Sequence, residues 1–238
     1  MTEKLFMKDS YLKTCEATVQ EIRNNQVVLD RTIFHPLSGG VSNDIGKIIY
    51  LDKEYNVVEV REDKESESIV HVLSTTPEFK VGSTVRCELD WSRRYKLMKL
   101  HTAAHILSAI MYNEHNALIT GGHIEPEEAK DDYSIEKADR SLFEDAIRKV
   151  NEIASRAIEV KVYFLPREEA LKIKGVVKLA ERAPPNLKEL RIVEIPGVDI
   201  QADGGPHVRN TSEIGRIVLL KVENKGKNRK RVYYKLLE

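Results

Sequence analysis

Two pairs of residues in this sequence have the types and spacing needed to bind a metal ion. His101 and His105 are four residues apart in a segment with helical periodicity. On a helix this spacing puts both imidazoles on one face, about one turn apart, as two ligands of a single zinc ion require. Asp203 and His207 flank a Gly-Gly-Pro turn, which can fold both side chains toward one point. Either pair alone could arise by chance, but together they predict a shared metal site.

The residue after the first histidine limits the kind of metal chemistry. In the metallopeptidase motif His-Glu-x-x-His, a glutamate follows the first histidine and acts as the general base. Thr102 occupies that position in this sequence. The sequence therefore gives little support to a metallopeptidase.

Two long helices are predicted, and the first of them carries the histidine pair. From Trp91 to about Asn116, apolar residues recur at intervals of three and four, which is typical of an amphipathic helix: Leu97, Leu100, Ala104, Leu107 and Met111. Asp90 is the expected N-cap of this helix. A second helix is predicted to begin near Ser141, where Ser141 and Glu144 fit a capping box. Its expected buried face consists of Phe143, Ile147, Val150 and Ala154.

The remaining elements are predicted to be mostly short strands. Before residue 90, β-prone runs separated by turn residues lie at Ala17–Val19, Gln26–Asp30, Lys47–Leu51, Val57–Val60, Ile69–Leu73 and Thr84–Leu89. Later strands are expected at Ala117–Ile124, Asp132–Glu136, Val160–Leu165, Arg191–Ile195, Gly215–Val222 and Arg231–Leu236, with a short helix at Arg167–Ile173. The pattern predicts an α+β fold, with a small N-terminal β-barrel over residues 1–90. An α/β domain over residues 91–238 follows, with two long helices packed on a mostly antiparallel sheet.

The charge balance means that any nucleic-acid partner must be met by a local basic patch. Lys+Arg and Asp+Glu both number 38 in 238 residues, so the chain has no overall field that attracts a polyanion. Candidate RNA contacts are Arg93 and Arg94 at the start of the first helix, and Lys227, Arg229, Lys230 and Arg231 in the closing hairpin. A basic hairpin tip is more often a solvated turn, so both interpretations of the closing segment stay open.

Cysteine content and hydropathy both favour a cytoplasmic protein. Cys15 and Cys87 are too few for a disulfide framework or a zinc ribbon, which favours a reducing compartment. No run approaches the roughly 18 apolar residues that a membrane span needs, and no signal peptide is evident. We therefore expect no membrane association.

Several motifs resemble those of a known family. Two segments around the histidine pair resemble the editing domain shared by alanyl- and threonyl-tRNA synthetases: Trp91–Arg94 and Met98–Leu107. The stretch Asp199–Val208, followed by Thr211–Gly215, is similar to the second zinc motif of that domain. Phe34–Gly46 is similar to the Gly-rich motif of the alanyl type. Because the resemblance covers nearly the whole chain, the sequence resembles the freestanding alanyl-tRNA editing proteins of the medium-length class (AlaX).

The resemblance implies an activity, a cofactor and a partner. The implied reaction is zinc-dependent hydrolysis of the ester in mischarged tRNA(Ala), with serine or glycine as the wrong amino acid, and the implied partner is the acceptor end of that tRNA. One Zn²⁺ per chain is expected on His101, His105 and His207. Asp203 is the candidate fourth ligand, and it stands where the family motif Cys-Gly-Gly-Thr-His has its cysteine. A carboxylate is an acceptable zinc ligand, although it makes the site less selective for zinc over harder metals.

The resemblance also suggests which residues meet the amino acid. Thr102 is the candidate to sense the seryl hydroxyl, and the alternative is that it bonds back to the carbonyl one turn earlier in the helix. Gly39 and Gly40 could let backbone N–H groups approach the substrate, or could simply turn the chain. Val41 stands where the family usually has glutamine, which removes an amide from the implied pocket.

Two rival functions stay open from the sequence. One is a related deacylase with another amino-acid preference, which Val41 favours. The other is a catalytically weak tRNA-binding module with a structural metal, which Asp203 keeps open because a closed four-ligand site is structural. The sequence does not indicate an oligomeric state.

Overall fold

The computed structural model describes residues 2–63, 65–137, 139–173, 176 and 187–237. The chain forms two compact units, Met1–Tyr95 and Lys96–Glu238. The first consists mainly of strands, and the second combines helices with antiparallel sheets, which confirms the predicted α+β class. No helix of the described residues is long and apolar enough to cross a membrane.

The first unit is built around a closed six-stranded barrel. Its elements are β1 (Glu3–Lys4), α1 (Leu5–Lys8), β2 (Thr14–Arg23), β3 (Gln26–Leu29), β4 (Arg31–Thr32), β5 (Gly46–Tyr50), β6 (Lys53–Asp63), β7 (Ser68–Leu73) and β8 (Thr84–Leu89). The barrel strands follow the order β2-β3-β7-β6-β5-β8, and every neighbouring pair is antiparallel. The six β-prone runs predicted before residue 90 all fall on these strands, because alternate side chains turn inward to a shared apolar core.

One glycine allows two barrel strands to approach closely. A Cβ on Gly46, the first residue of β5, would lie 2.2 Å from the carbonyl oxygen of Glu88 on β8. That distance is far below van der Waals contact and involves backbone that cannot swing away. Only glycine fits this position, which lies at the end of the predicted Gly-rich motif.

Arg94 is a buried side chain of the first unit with several hydrogen-bond partners. It is fully buried, and its guanidinium donates to the carboxylate of Asp44, with Nε 2.9 Å from Oδ1. It also donates to the carbonyl oxygens of Ser10 and Ile33 at 2.9 and 2.7 Å. The predicted contact between Arg94 and RNA is therefore wrong, since all the polar edges of the guanidinium lie inside the protein. Asp44, from the Gly-rich motif, is the partner that the sequence did not indicate.

The described residues of the second unit form three α-helices, one 3₁₀ helix (Thr211–Ile214) and two antiparallel sheets. Its elements are α2 (Trp91–His115, which begins in the first unit), β9 (Ile119–Ile124), β10 (Ala129–Tyr133), α3 (Arg140–Ser155), β11 (Lys161–Pro166), α4 (Arg167–Ala170), β12 (Glu189–Ile195), β13 (Asp199–Ala202), β14 (Arg216–Asn224) and β15 (Lys230–Leu237). One sheet has the order β14-β15-β10-β9, and the other has the order β11-β12-β13. Helix α3 packs on β14 with its predicted apolar face, so that face is confirmed.

Helix α2 differs from the amphipathic helix that the sequence predicts. Every side chain from Leu100 to Met111 is buried, including those between the predicted apolar positions. A helix that is buried all round belongs to the interior rather than to the surface. The two histidines on α2 are therefore desolvated, which the periodicity alone did not predict. The expected N-cap is confirmed, because the Asp90 carboxylate accepts a hydrogen bond from the Arg93 N–H at 3.0 Å.

The start of α3 and two strands also depart from the sequence-based expectation. The N-cap of α3 is Asp139, which accepts from the Leu142 N–H at 3.1 Å, so the predicted capping box of Ser141 and Glu144 is wrong. Glu144 instead pairs with Arg140. The strand predicted at Asp132–Glu136 lies three residues earlier, as β10, and β13 was missed. Strand β13 is short and contains two polar residues, so it lacks the apolar run that marks a strand.

Candidate metal centre

Two elements that are distant in sequence bring the predicted metal ligands together. His101 and His105 project from one face of α2, as their spacing predicts. Asp203 and His207 belong to the loop that follows β13. One potential ligand atom from each of the four residues lies within 4.8 Å of the other three. We call these four residues the His/Asp cluster, and among the described residues they form the one group of this kind.

The distances inside the His/Asp cluster fit a small tetrahedral ion. Nε2 of His207 lies 3.1 Å from Oδ2 of Asp203, and Nε2 of His101 lies 3.7 Å from Oδ1 of the same carboxylate. Ligands bound tetrahedrally to zinc at about 2.0–2.1 Å are about 3.3–3.4 Å apart, between these two values. The three imidazole rings have centroids 4.1 to 5.0 Å apart. The cluster could therefore hold one metal ion without a large rearrangement.

A second hydrogen-bond partner orients each histidine and determines which nitrogen faces the centre. Nδ1 of His101 lies 3.2 Å from the carbonyl oxygen of Pro206, and Nδ1 of His105 lies 3.1 Å from Oδ2 of Asp199. Both partners are acceptors, so both Nδ1 atoms carry the proton. Each Nε2 atom then carries the lone pair that a metal ion would bind. Outer partners of this kind fix the tautomer and orientation of metal-binding histidines.

Thr102 is the hydrogen-bond partner that orients the third histidine, His207. Its hydroxyl donates to the Met98 carbonyl one turn earlier, at 2.9 Å. Since its hydrogen is used there, the oxygen accepts from Nδ1–H of His207 at 3.0 Å and from the Val208 N–H at 3.3 Å. Thr102 is fully buried, and its donor and both lone pairs are occupied. The structure therefore corrects the prediction that this hydroxyl senses serine: the alternative, a bond back along the helix, is present, together with a contact that positions His207.

We expect Thr102→Val to weaken metal binding and Thr102→Ser to preserve it. Valine has a similar shape but leaves the buried Nδ1–H of His207 and N–H of Val208 without an acceptor, at about 1–3 kcal/mol each. Serine keeps the oxygen. Competition titration of metal with a chromophoric chelator measures the affinities of the three proteins. Equal affinity of the valine variant and the wild type would contradict the positioning role.

Asp199 and Arg191 are buried residues around the cluster that the sequence did not indicate. Asp199, on β13, is buried and also accepts from the side-chain amide of Gln201 at 3.0 Å. Arg191, on β12, donates to the carbonyl oxygens of Asp203 and Gly205 at 2.8 and 3.0 Å, which fixes the loop. The sequence offered no local signal for either residue, because β13 lacks the apolar run of a strand and Asp203 lies in the loop beyond it.

We expect Asp199→Ala to lower metal affinity by about 10- to 100-fold, the usual effect of removing an outer partner of a metal-binding histidine. The reason is that the His105 ring loses the carboxylate that fixes its tautomer and raises its basicity. A matched control is Glu194→Ala, on the neighbouring strand, where the carboxylate accepts from the Tyr163 hydroxyl instead. Equal affinities of the two variants, measured by the same chelator titration, would show that Asp199 does not act on the centre.

The glycines of the loop are needed where it passes His101. A Cβ on Gly205 would lie 2.6 Å from Cε1 of His101. The N–H of Gly205 also donates to Oδ2 of Asp203 at 2.7 Å. The loop therefore needs glycine to pack against one ligand while its backbone orients another. This gives a physical reason for the Gly-Gly-Pro turn.

The electrostatics of the cluster favour a dication. Burial lowers the pKa of His101 to about 4 and lowers the pKa of His207 well below its usual range, so both rings are neutral near pH 7. Burial alone would raise the pKa of Asp203, whereas positive charge among the surrounding imidazoles would lower it, so this carboxylate favours a cation at the centre of the cluster. Three imidazoles and one carboxylate are an acceptable donor set for zinc.

The other predicted site residues lie outside the cluster. Gly39 and Gly40 are in the first unit, with φ of 60° and 85°, and they turn the chain between Ser38 and Val41. These left-handed conformations favour glycine. These two glycines therefore turn the chain, as one of the two interpretations of the sequence predicted. Their contact with substrate stays a prediction. Arg93 donates from Nε to the carbonyl oxygen of Asn43 at 3.0 Å.

The closing hairpin contains both engaged and exposed basic residues. Lys230 is buried and its ammonium donates to the Glu136 carbonyl at 2.8 Å, so its predicted contact with RNA is wrong. Arg231 forms a two-pronged ion pair with Asp132 at 2.6 and 2.8 Å. Lys227 and Arg229 lie exposed in the turn between β14 and β15, so the basic surface is smaller than the sequence indicates.

Two known protein families match parts of this chain. The family described as the second additional domain of threonyl and alanyl tRNA synthetases matches residues 190–233, which include the loop of the centre. The family described as tRNA synthetases class II (A) matches residues 3–93. A protein named alanyl-tRNA editing protein AlaX-M, from Saccharolobus solfataricus, is 54% identical over 235 residues, covering 98% of each chain.

This chain belongs to the AlaX-M family of alanyl-tRNA editing proteins. The Methanosarcina barkeri protein of the same name is 38% identical and is matched over the full length of both chains. The alanine–tRNA ligase of Staphylothermus marinus is also 38% identical, but the match covers 93% of this chain and only 24% of the ligase. The similarity to this ligase is therefore confined to about a quarter of its length. The motifs of the sequence likewise resemble only the editing domain of alanyl-tRNA synthetases.

Proposed function

We propose that this protein is a zinc-dependent hydrolase that removes wrongly attached serine, or glycine, from tRNA(Ala). The observation that carries the proposal is the arrangement of the three buried histidines. Each has a second partner on Nδ1, and one potential ligand atom of each lies within 4.8 Å of those of the other cluster members. Membership of a family named for alanyl-tRNA editing supplies the substrate class.

His101, His105 and His207 would hold the zinc ion, with Asp203 as the fourth ligand. When bound, zinc polarises a carbonyl oxygen and lowers the pKa of a bound water toward neutrality, which suits the hydrolysis of an activated ester. The donor set and spacing of the cluster support this assignment. A harder ion is the alternative that Asp203 favours, since a carboxylate replaces the usual thiolate.

Residues of this chain provide the preorganisation that the reaction needs. The three outer partners hold the imidazoles, so no ring has to reorient during the reaction. The side chain of Asp203 is 17% exposed, against 1 to 8% for the three histidines, so the substrate would approach from its side. The Gly205 N–H holds Oδ2 of Asp203, which favours a carboxylate that binds through one oxygen and leaves room for a water or substrate.

The proposed division of the chain follows its motifs. Residues 1–90 form a barrel domain that carries the Gly-rich motif, and residues 91–238 form the editing domain. We propose that Gly39 and Gly40 approach the amino-acid end of the substrate. The partner is the acceptor end of tRNA(Ala), for which Arg93, Lys227 and Arg229 are the proposed phosphate contacts. The proposed location is the cytoplasm.

The test is deacylation of Ser-tRNA(Ala), Gly-tRNA(Ala) and Ala-tRNA(Ala) by zinc-loaded, chelated and reloaded protein. We expect rapid release of serine or glycine, sparing of alanine, loss of activity on chelation and recovery with one zinc per chain. Equal rates with loaded and chelated protein would contradict metal dependence. A reloaded protein that binds tRNA(Ala) but releases none of the three amino acids would instead support the tRNA-binding module with a structural metal.

A further inference from the structure

Phe164 is an aromatic residue with an exposed side chain. It lies on β11 and is 44% exposed, whereas the other four phenylalanines, Phe6, Phe34, Phe79 and Phe143, are at most 3% exposed. Among the described residues it is the one aromatic side chain in the exposed class. Val162, two residues earlier on the same face of the strand, is 39% exposed. Together they form an apolar surface at the edge of the sheet, which we call the β11 ledge.

The strand register puts the β11 ledge beside the metal centre. Phe164 lies directly opposite Arg191 on β12, and Val162 lies opposite Val193. Residues opposite each other in an antiparallel pair share a face of the sheet, with Cβ atoms about 4.5–5.5 Å apart. The intervening residues Tyr163 and Leu165 point to the other face, where they pack against a separate apolar cluster. The exposed ring is therefore on the same face as Arg191.

Arg191 connects the ledge to the ligand loop. Its Nη1 donates to the carbonyl oxygens of Asp203 and Gly205 and lies 3.7 Å from Oδ2 of Asp203. Asp203 is the most exposed member of the His/Asp cluster. Arg191 is thus both the register partner of Phe164 and a neighbour of the most exposed member of the cluster.

We propose that the β11 ledge is a stacking platform for the unpaired base at the 3′ end of the aminoacylated tRNA. This inference rests on the proposed function. The ester is attached to the ribose of the last nucleotide, so the base of that nucleotide lies within a few ångströms of the ester. An exposed aromatic ring stacks on the π-face of any base, and such stacking is a main source of binding to unpaired nucleotides. Phe164 acts as a positioning residue: it holds the base, and the attached ester is thereby directed to the centre.

The direct test follows stacking without requiring catalysis. A short uncharged RNA hairpin with the acceptor end of tRNA(Ala) carries the fluorescent base 2-aminopurine in place of its terminal base. We expect wild type and Phe164→Tyr to quench this base, and Phe164→Ala to bind the RNA about 5- to 150-fold more weakly, with the quenching lost. Leu237→Ala is the matched control, because it removes another apolar side chain that is 50% exposed in the same unit, and it should behave as wild type.

The kinetic test separates positioning from chemistry. With Ser-tRNA(Ala), Phe164→Ala should raise KM by a similar factor while zinc content stays at one per chain, and Phe164→Tyr should restore KM. Equal quenching and KM in wild type and Phe164→Ala would overturn the platform. A second result would also overturn the platform: Phe164→Ala dissociates an oligomer, as measured by light scattering, but leaves the quenching intact. The β11 ledge would then be a contact between copies of this chain.

The two proposals fail in distinguishable ways. If the wild type releases no serine but quenches the terminal base in a Phe164-dependent manner, the hydrolase proposal is wrong and the platform stands. If the wild type releases serine and Phe164→Ala does so with unchanged KM, the platform is wrong and the hydrolase proposal stands.

Discussion

His101→Ala is expected to reduce zinc below one ion per chain and to slow the release of serine from Ser-tRNA(Ala) by at least about 10³-fold. The expectation follows from the loss of one of three Nε2 ligands, since metal activation of water and carbonyl contributes several kcal/mol to a hydrolytic transition state. Single-turnover deacylation measures the rate, and elemental analysis of the same sample measures the metal.

The matched control is His115→Ala, which removes a histidine from the last turn of the same helix, outside the His/Asp cluster. It should retain full zinc content and the wild-type rate. Far-UV circular dichroism of both variants separates loss of the centre from loss of the fold. An active His101→Ala variant with unchanged zinc content would remove His101 from the ligand set and contradict the proposed centre.

Arg94→Met is expected to lower the free energy of unfolding of the first unit by about 3–5 kcal/mol. The change leaves the buried carboxylate of Asp44 without its cationic partner, and breaking a buried ion pair from one side has a cost of this size. The carbonyl oxygens of Ser10 and Ile33 lose their donor as well. Urea unfolding followed by the fluorescence of Trp91, the single tryptophan of the chain, measures the change.

The control for Arg94 is a second arginine with an exposed partner. Arg86 lies on β8 and is 3.5 Å from Glu88, with both side chains about half exposed. Exposed pairs contribute about 0–1 kcal/mol, so Arg86→Met should change the unfolding midpoint very little. The double variant Arg94→Met with Asp44→Asn should recover part of the loss, because no unpaired charge is left buried. A loss below about 1 kcal/mol in Arg94→Met alone would contradict the structural role assigned here.

Thr102 shows why a residue's type and position do not establish its role. Its place after the first histidine made it a candidate for contact with substrate, and its hydroxyl has the chemistry for that contact. In the folded chain that hydroxyl is used by Met98, His207 and Val208. The last two partners come from a loop about a hundred residues further along the chain, and no local pattern in the sequence specifies that proximity.

The local content of the sequence was sufficient to predict the histidine pair, the barrel strands, the two long helices and the loop that completes the metal centre. These follow from short-range physics: a four-residue spacing on a helix, alternation along a strand, and glycines in a turn. The tertiary structure decided the rest. It assigned Asp199, Thr102 and Pro206 as outer partners, engaged Arg94 and Lys230 inside the protein, and left Phe164 exposed opposite Arg191. Those outcomes depend on which distant segments pack together, because burial and hydrogen-bond satisfaction are properties of the assembled chain.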